Sequence, residues 1–401
     1  MPGWRWAAPD CAGCCPPHPA ARALLGLGLT VPALTVATNG DPVIWGQVVL
    51  PGLQPREALS AGLALVIGLA PYLLGRALLT TEKDQRDLLL ALLLGALGYS
   101  LPMLLEVRLS PQLNIWIYGY FQHLFEQMMR GNGFRPIVFL YHGLWAAFLA
   151  LTGVLAACAL ARAESAPRRR LALLAAAAWM MLVLVLCKSL ASLLYALVFA
   201  PLLLLAGGRM QIRLAALLAC LALAYPAARG AHLLPDQAVV SAIARLAPER
   251  AHSLAFRFGN EDVLLARAEE RPLFGWGLWG RHHVYDPDTG RPLTITDGRW
   301  IVVLGMFGWA GFLSEFGLLA LPLLLAWRRL GAGPPPPLAG AMALMLAVNL
   351  VDLIPNATLT PLTMLLAGAL LGWAERAPVQ DVAARPSGAP PHPAPAFRTV
   401  L

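Results

Sequence analysis

Asp297, Gly298 and Arg299 stand together immediately before a long apolar block that opens with Trp300. A carboxylate can take a proton from an attacking hydroxyl, and a guanidinium fork fits phosphate or pyrophosphate. Asp297 is equally suited to cap the helix that follows, and one residue can do both. Arg257 lies upstream in SLAFRFGN, and Arg271 and Trp276 lie in RPLFGWG, residues 271–277. The segment 229–299 holds nine arginines against nine carboxylates. It is therefore neutral, and bulk attraction cannot be its purpose. Most of these arginines are expected to pair with neighbouring acids, leaving a few to grip an anion. His282, His283 and Asp286 invite a metal reading. Adjacent histidines diverge on a regular element, so no shared metal is expected.

These residues need elements to hold them, and composition says what kind. The chain has 401 residues, of which 58% are hydrophobic and 13% charged, with a mean hydropathy of +0.63. Disorder needs the opposite balance, and a soluble enzyme of this size could not hide so much apolar surface. The apolar residues come in blocks near the roughly 20 residues that cross a bilayer. The reading is an all-α polytopic membrane protein. Spans are predicted at 22–37, 58–79, 88–105, 137–161, 168–187, 193–206, 214–228, 300–327, 338–354 and 359–373. The first is short and interrupted by Pro32. A disordered head, 1–21, carries Cys11, Cys14 and Cys15; a Pro/Ala-rich tail, 376–401, is expected to be disordered too. The membrane domain covers 22–375.

The net charge of +8 is read as basic cytoplasmic loops rather than a nucleic-acid surface. Arg76, Lys83, Arg86 and the Arg168–Arg170 run fall on one side if both termini are cytoplasmic. Two long segments then face outward, 106–136 and 229–299, the second carrying short helices. Gly305, Gly308 and Gly311 inside the eighth span read as a close-packing stripe. Ionisable groups within a bilayer are functional candidates by default. On that ground His142 and Asp352 are expected to line the site, while Glu315 reads as a packing partner.

Three stretches resemble the O-antigen ligase and polysaccharide polymerase superfamily of bacterial envelope glycosyltransferases. One is RPLFGWG with Arg257 upstream. The second is Asp297-Gly298, nine residues, then Gly308-Trp-Ala-Gly311. The third is GFRPIVFLYHGLWAAFLA, residues 133–150, which contains Arg135 and His142. The ligases carry a histidine where this chain has Asp297, so a polymerase-type enzyme fits better. The resemblance implies a glycan donor on undecaprenyl diphosphate, a saccharide or lipid-glycan acceptor, and work at the periplasmic face of the inner membrane, alongside envelope assembly proteins. It implies Asp297 as base and Arg257, Arg299 and Arg135 around the pyrophosphate, with no metal or cofactor. A transporter of lipid-linked sugars and a non-catalytic assembly subunit are the competing readings.

Overall fold

The computed structural model describes residues 16–130, 133–245 and 247–376. The cysteine cluster and the tail beyond Arg376 lie outside the described residues. The apolar blocks form helices: α1 (Pro19–Ala37), α2 (Pro55–Leu78), α3 (Glu82–Leu109), α5 (Gly143–Ala163), α6 (Pro167–Leu186), α7 (Leu190–Leu205), α8 (Gly208–Gly230), α11 (Arg299–Arg329), α12 (Pro337–Asp352) and α13 (Pro361–Glu375). Seven are long and apolar enough to cross a membrane; α7, α12 and α13 are shorter apolar helices. α1 runs unbroken through Pro32 over 19 residues. The connections hold α4 (Leu113–Tyr118), α9 (Asp236–Ala244), α10 (Pro248–Glu269) and a hairpin of β1 (Val43–Trp45) with β2 (Val48–Leu50).

Polarity is arranged for hydrocarbon rather than water. α5 and α12 are buried on nearly every face. α2 is mostly exposed and presents Leu59, Leu63, Val66 and Ile67 outward, at 52–76% exposure. In water such a surface would drive aggregation; against lipid it is neutral. Where helices meet closely, small residues permit it. A Cβ on Gly368 would come within 1.9 Å of the Tyr72 carbonyl, and one on Gly372 within 2.3 Å of the Arg76 carbonyl. So α13 lies backbone to backbone on α2.

Charges collect at the two ends of the bundle. At one end the turns are short, and the ion pairs are Arg76–Glu375 (2.7 Å) and Arg86–Glu164 (2.6 Å). The other end is loop-rich and internally bonded. Asn39 Nδ2 donates to the Gly275 carbonyl, Arg135 to the Lys188 carbonyl, and Arg257 to the Pro355 carbonyl.

Two segments differ from expectation. Glu106, read as the start of a polar loop, lies inside α3 and is 1% exposed. Its carboxylate accepts from the backbone N–H groups of Leu113, Ile137 and Val138 at 2.7–3.1 Å, so it organises the 110–142 connection from below. Within 229–299, where short helices are expected, α10 is 22 residues long. Alternation of charge and apolar residues along 248–262 hides the helix from a search for apolar runs.

Candidate functional site

The site is built on a break in α11. Gly308 has φ 63° and ψ −165°, a conformation open essentially to glycine alone. The break is stitched by the RPLFGWG loop. Trp276 and Gly277 N–H donate to the carbonyls of Gly305 and Met306, at 2.8 and 2.9 Å. Trp309 and Ala310 N–H donate to the carbonyls of Pro272 and Leu273, at 2.8 and 3.1 Å. Backbone groups freed by the break are thus paired on both sides, as low-dielectric surroundings demand. The glycine stripe read as helix packing is therefore, at Gly308, a chain reversal. The predicted single span 300–327 is two pieces, 299–307 and 309–329.

The reversal has a measurable consequence. Sixteen residues of straight helix would separate Arg299 and Glu315 by about 24 Å. Instead the Arg299 guanidinium meets the Glu315 carboxylate through two bonds of 2.7 and 2.6 Å. The first piece folds back along the second, and Arg299 lies level with Glu315, below the turn. Trp300, Ile301, Val303 and Leu304 of this piece are 0–2% exposed. Glu315 is thus more than a packing partner; it holds Arg299 in place.

Asp297 and Gly298 lead into this helix along the α12–α13 turn. Arg299 N–H donates to the carbonyls of Leu353 (2.9 Å) and Asn356 (3.1 Å). A Cβ on Gly298 would fall 2.1 Å from the Ile354 carbonyl, so the close approach requires glycine. Asn260 of α10 accepts from Ile295 N–H at 3.0 Å and fixes the approach from the other side. α12 and α13 have 16 and 15 residues, or about 24 Å of helix. That is shorter than the roughly 30 Å hydrocarbon core of a bilayer.

Arg257 of α10 reaches the same turn. Its Nε lies 3.3 Å from the Asp297 carboxylate, and Nη1 lies 3.4 Å from the Pro355 carbonyl. Both partners are a little over one-third exposed. Asp297 is not its helix's side-chain cap: Gly298 holds the N-cap position. Asp352, 2% exposed, lies at the end of α12 and accepts from Asn356 Nδ2 (2.9 Å) and Thr358 Oγ1. Thr363 Oγ1 donates to Asn349 Oδ1 at 2.7 Å just beside it. Four of the residues expected from sequence, Asp297, Arg257, Arg299 and Asp352, therefore meet around one turn.

Arg299 and Glu315 also face a cavity of about 380 Å³ bounded by α1, α2, α11 and α13. Its walls are otherwise almost wholly apolar: Val31 and Pro32 on α1, Leu65 and Leu69 on α2, Met364 on α13.

The remaining expected residues sit elsewhere. Arg271 binds the Thr38 carbonyl, Asn39 Oδ1 and the Asp41 carboxylate. Burial raises the Asp41 carboxyl, but a backbone hydrogen bond, the Arg271 hydrogen bond and the charges of Arg271 and Arg281 together hold it below the usual carboxylate range. Trp276, 7% exposed, donates to the Arg267 carbonyl beneath a stacked Arg267 guanidinium. Both fasten loops rather than the α12–α13 turn. Arg135 and His142 belong to the separate 110–142 connection. His142 caps α5 by accepting from Leu144 N–H at 3.0 Å, and burial, with His123 nearby, pushes its pKa down to about 4.

Two clusters carry no obvious sequence mark. Arg281, wholly buried, donates to the carbonyls of Asp41, Pro51 and Trp276. Arg229, 2% exposed, faces Asp236, Glu261 and Asp262 and fastens α9 and α10 to α8. Burial pushes the Glu261 carboxyl up to about 7, even though Tyr225 and Arg229 favour its charged form. Arg229, Arg267, Arg271 and Arg281 thereby leave the list of anion-binding candidates, while Arg257 and Arg299 stay on it. His282 packs on Gly305 and His283 on Thr294. Among the described residues, no three His, Cys, Asp or Glu side chains gather as a metal cluster would require.

No protein-family model matches the chain, and no curated protein matches it.

Proposed function

We propose that this chain is a polytopic membrane glycosyltransferase with ten spans and both termini cytoplasmic. In this reading it transfers or polymerises a glycan carried on undecaprenyl diphosphate, at the outer face of a bacterial inner membrane. The observation that carries the reading is the pairing of Arg257 with Asp297 at the α12–α13 turn, from which Arg299 leads to an apolar cavity; turn and cavity together make the proposed donor hollow. A lipid-linked donor combines the chemistries this hollow supplies: an apolar chain, an anionic linkage and a polar sugar.

The roles follow from geometry. Arg299 is already held by Glu315. Arg257 keeps Nη2 without a protein partner among the described residues, so it is the cation freer to meet a pyrophosphate oxygen. A guanidinium there stabilises charge that develops as the lipid diphosphate leaves. Asp297 accepts the hydrogen bond of the incoming hydroxyl. As the new C–O bond forms, that hydroxyl becomes acidic and an ordinary carboxylate suffices as its base. Asp352, bonded to Asn356 and Thr358, keeps the turn in register.

One observation favours transport instead: a broken helix at membrane depth is common in transporters. Transporters often repeat the break in a matched half, and among the described residues only α11 has non-helical dihedrals inside it. Accumulation analysis in a deletion strain separates the readings. Build-up of single-repeat lipid-linked glycan marks a polymerase, and build-up of long lipid-linked chains marks a ligase. Unchanged lipid-linked glycan rules out both.

A further inference from the structure

The 110–142 connection is built inside out for a segment in water. α4 exposes Ile115, Trp116, Ile117 and Tyr118 at 41–63%, and Tyr120 and Leu124 follow at 60% each. Its polar side chains point the other way. Asn114, 5% exposed, donates to the Tyr120 carbonyl at 2.8 Å, and Gln122 Nε2 donates to the carbonyls of Val138 (2.7 Å) and Leu140 (3.0 Å). Glu106 holds the start of α4 from within, through Leu113 N–H at 3.1 Å. The exposed apolar face is therefore fixed by buried polar contacts, not thrown outward by a loose loop.

Three further observations say what covers it. The patch continues a lipid-facing strip on α3, where Leu101, Leu105 and Leu109 are 41–66% exposed. From Leu109 to Phe125 there is no Asp, Glu, Lys or Arg. The exposed residues are aliphatic side chains mixed with Trp and Tyr, the mixture that settles where acyl chains meet headgroups. Tyr118 is braced edge-on by Phe139, ring centroids 5.8 Å apart, so the aromatic face is rigid.

We propose that α4 and residues 119–125 lie in the bilayer interface of the leaflet at the loop-rich end, as a monotopic wedge attached to α3, and that lipid is the partner of this surface. In the second long connection, α9 opens with the polar pair Asp236 and Gln237, and Gln237 is exposed, so it serves as the water-side reference for this proposal.

Nitroxide accessibility in lipid nanodiscs tests this with the full chain, its six cysteines replaced by serine or alanine. Spin label is placed at Trp116→Cys, at Tyr118→Cys as a second probe should the first variant fail to elute as wild type does, and at Gln237→Cys on α9 as the water reference. Relaxation enhancement at 116 or 118 is expected to be several-fold greater from oxygen than from nickel ethylenediaminediacetate, with the order reversed at 237. Stronger enhancement by the nickel complex at 116 and 118 would put the segment in water and overturn the proposal. Weak enhancement by both reagents would mean that protein covers the patch, which overturns it equally.

Discussion

Replacing Gly308 with alanine tests the structural premise of the site. The φ of 63° with ψ of −165° costs an alanine about 1–3 kcal/mol in backbone strain. The new Cβ would lie 2.4 Å from the Leu273 carbonyl carbon and 2.5 Å from the Pro272 oxygen. Those are backbone atoms, so the RPLFGWG loop must retreat. Its four hydrogen bonds to the break then lengthen, each contributing about 0.5–1.5 kcal/mol. Strain and loss of half that bonding together come to about 2–6 kcal/mol. With an unfolding entropy of about 2.1 cal/mol/K per residue, a chain this long loses about 2–7 °C of Tm. The assay is thermal unfolding of the detergent-solubilised protein followed by intrinsic fluorescence. Gly98→Ala is the control, because a Cβ there meets nothing within 4 Å. A Gly308→Ala variant that melts within about 1 °C of wild type would refute the reversal, and with it the placement of Arg299 beside Glu315.

Arg257 engages Asp297 through Nε and Pro355 through Nη1; a lysine ammonium is a compact point charge without the planar, spaced fork that presents separate nitrogens to these partners and to a pyrophosphate. Arg257→Lys is therefore expected to lose nearly as much glycan synthesis as Arg257→Ala, and a Lys variant with wild-type synthesis would leave only a point charge or no role. Glu261 gives a pH signature. Its carboxyl is raised from 4.5 to about 7 by burial, so folding takes up a proton in that window and stability falls as pH rises through it. Between pH 5 and 8 the Tm of the wild type should fall more than that of Glu261→Gln, and equal slopes would show that this carboxyl titrates normally.

Much of the architecture was legible because span-length apolar blocks are hard to read otherwise; nine blocks correspond to single helices with shifted ends and the eighth to the two pieces of α11. Asp297, Arg257 and Arg299 stood out as candidates for a different reason: each is a charge beside glycine, aromatic or span boundary. The break at Gly308 was not. A glycine at helical spacing looks the same whether it packs a helix or reverses one, and only its dihedrals tell. Arg271 and Trp276 misled in the opposite sense. Their motif has a distinctive composition because it stitches α11 to the 38–53 connection, and a loop built for that purpose needs arginine and tryptophan as much as a binding loop does. Glu106 escaped because a buried carboxylate serving three backbone donors reads in sequence as the polar end of a span. The charged stretch 229–270 resolves into Arg229 and its three acids only when α8, α9 and α10 are brought together.

In the proposed function, glycan leaves its lipid diphosphate at the α12–α13 turn with Asp297 as the base. Asp297→Asn keeps size and hydrogen-bonding capacity but removes the charge that accepts a proton. Lipid-linked glycan should be measured in the source organism with this variant as its only copy, after confirming wild-type levels in the membrane. Accumulation of the lipid-linked donor with loss of mature polysaccharide is the expected result. Mature polysaccharide at the wild-type level, with no accumulation, would remove Asp297 from the reaction.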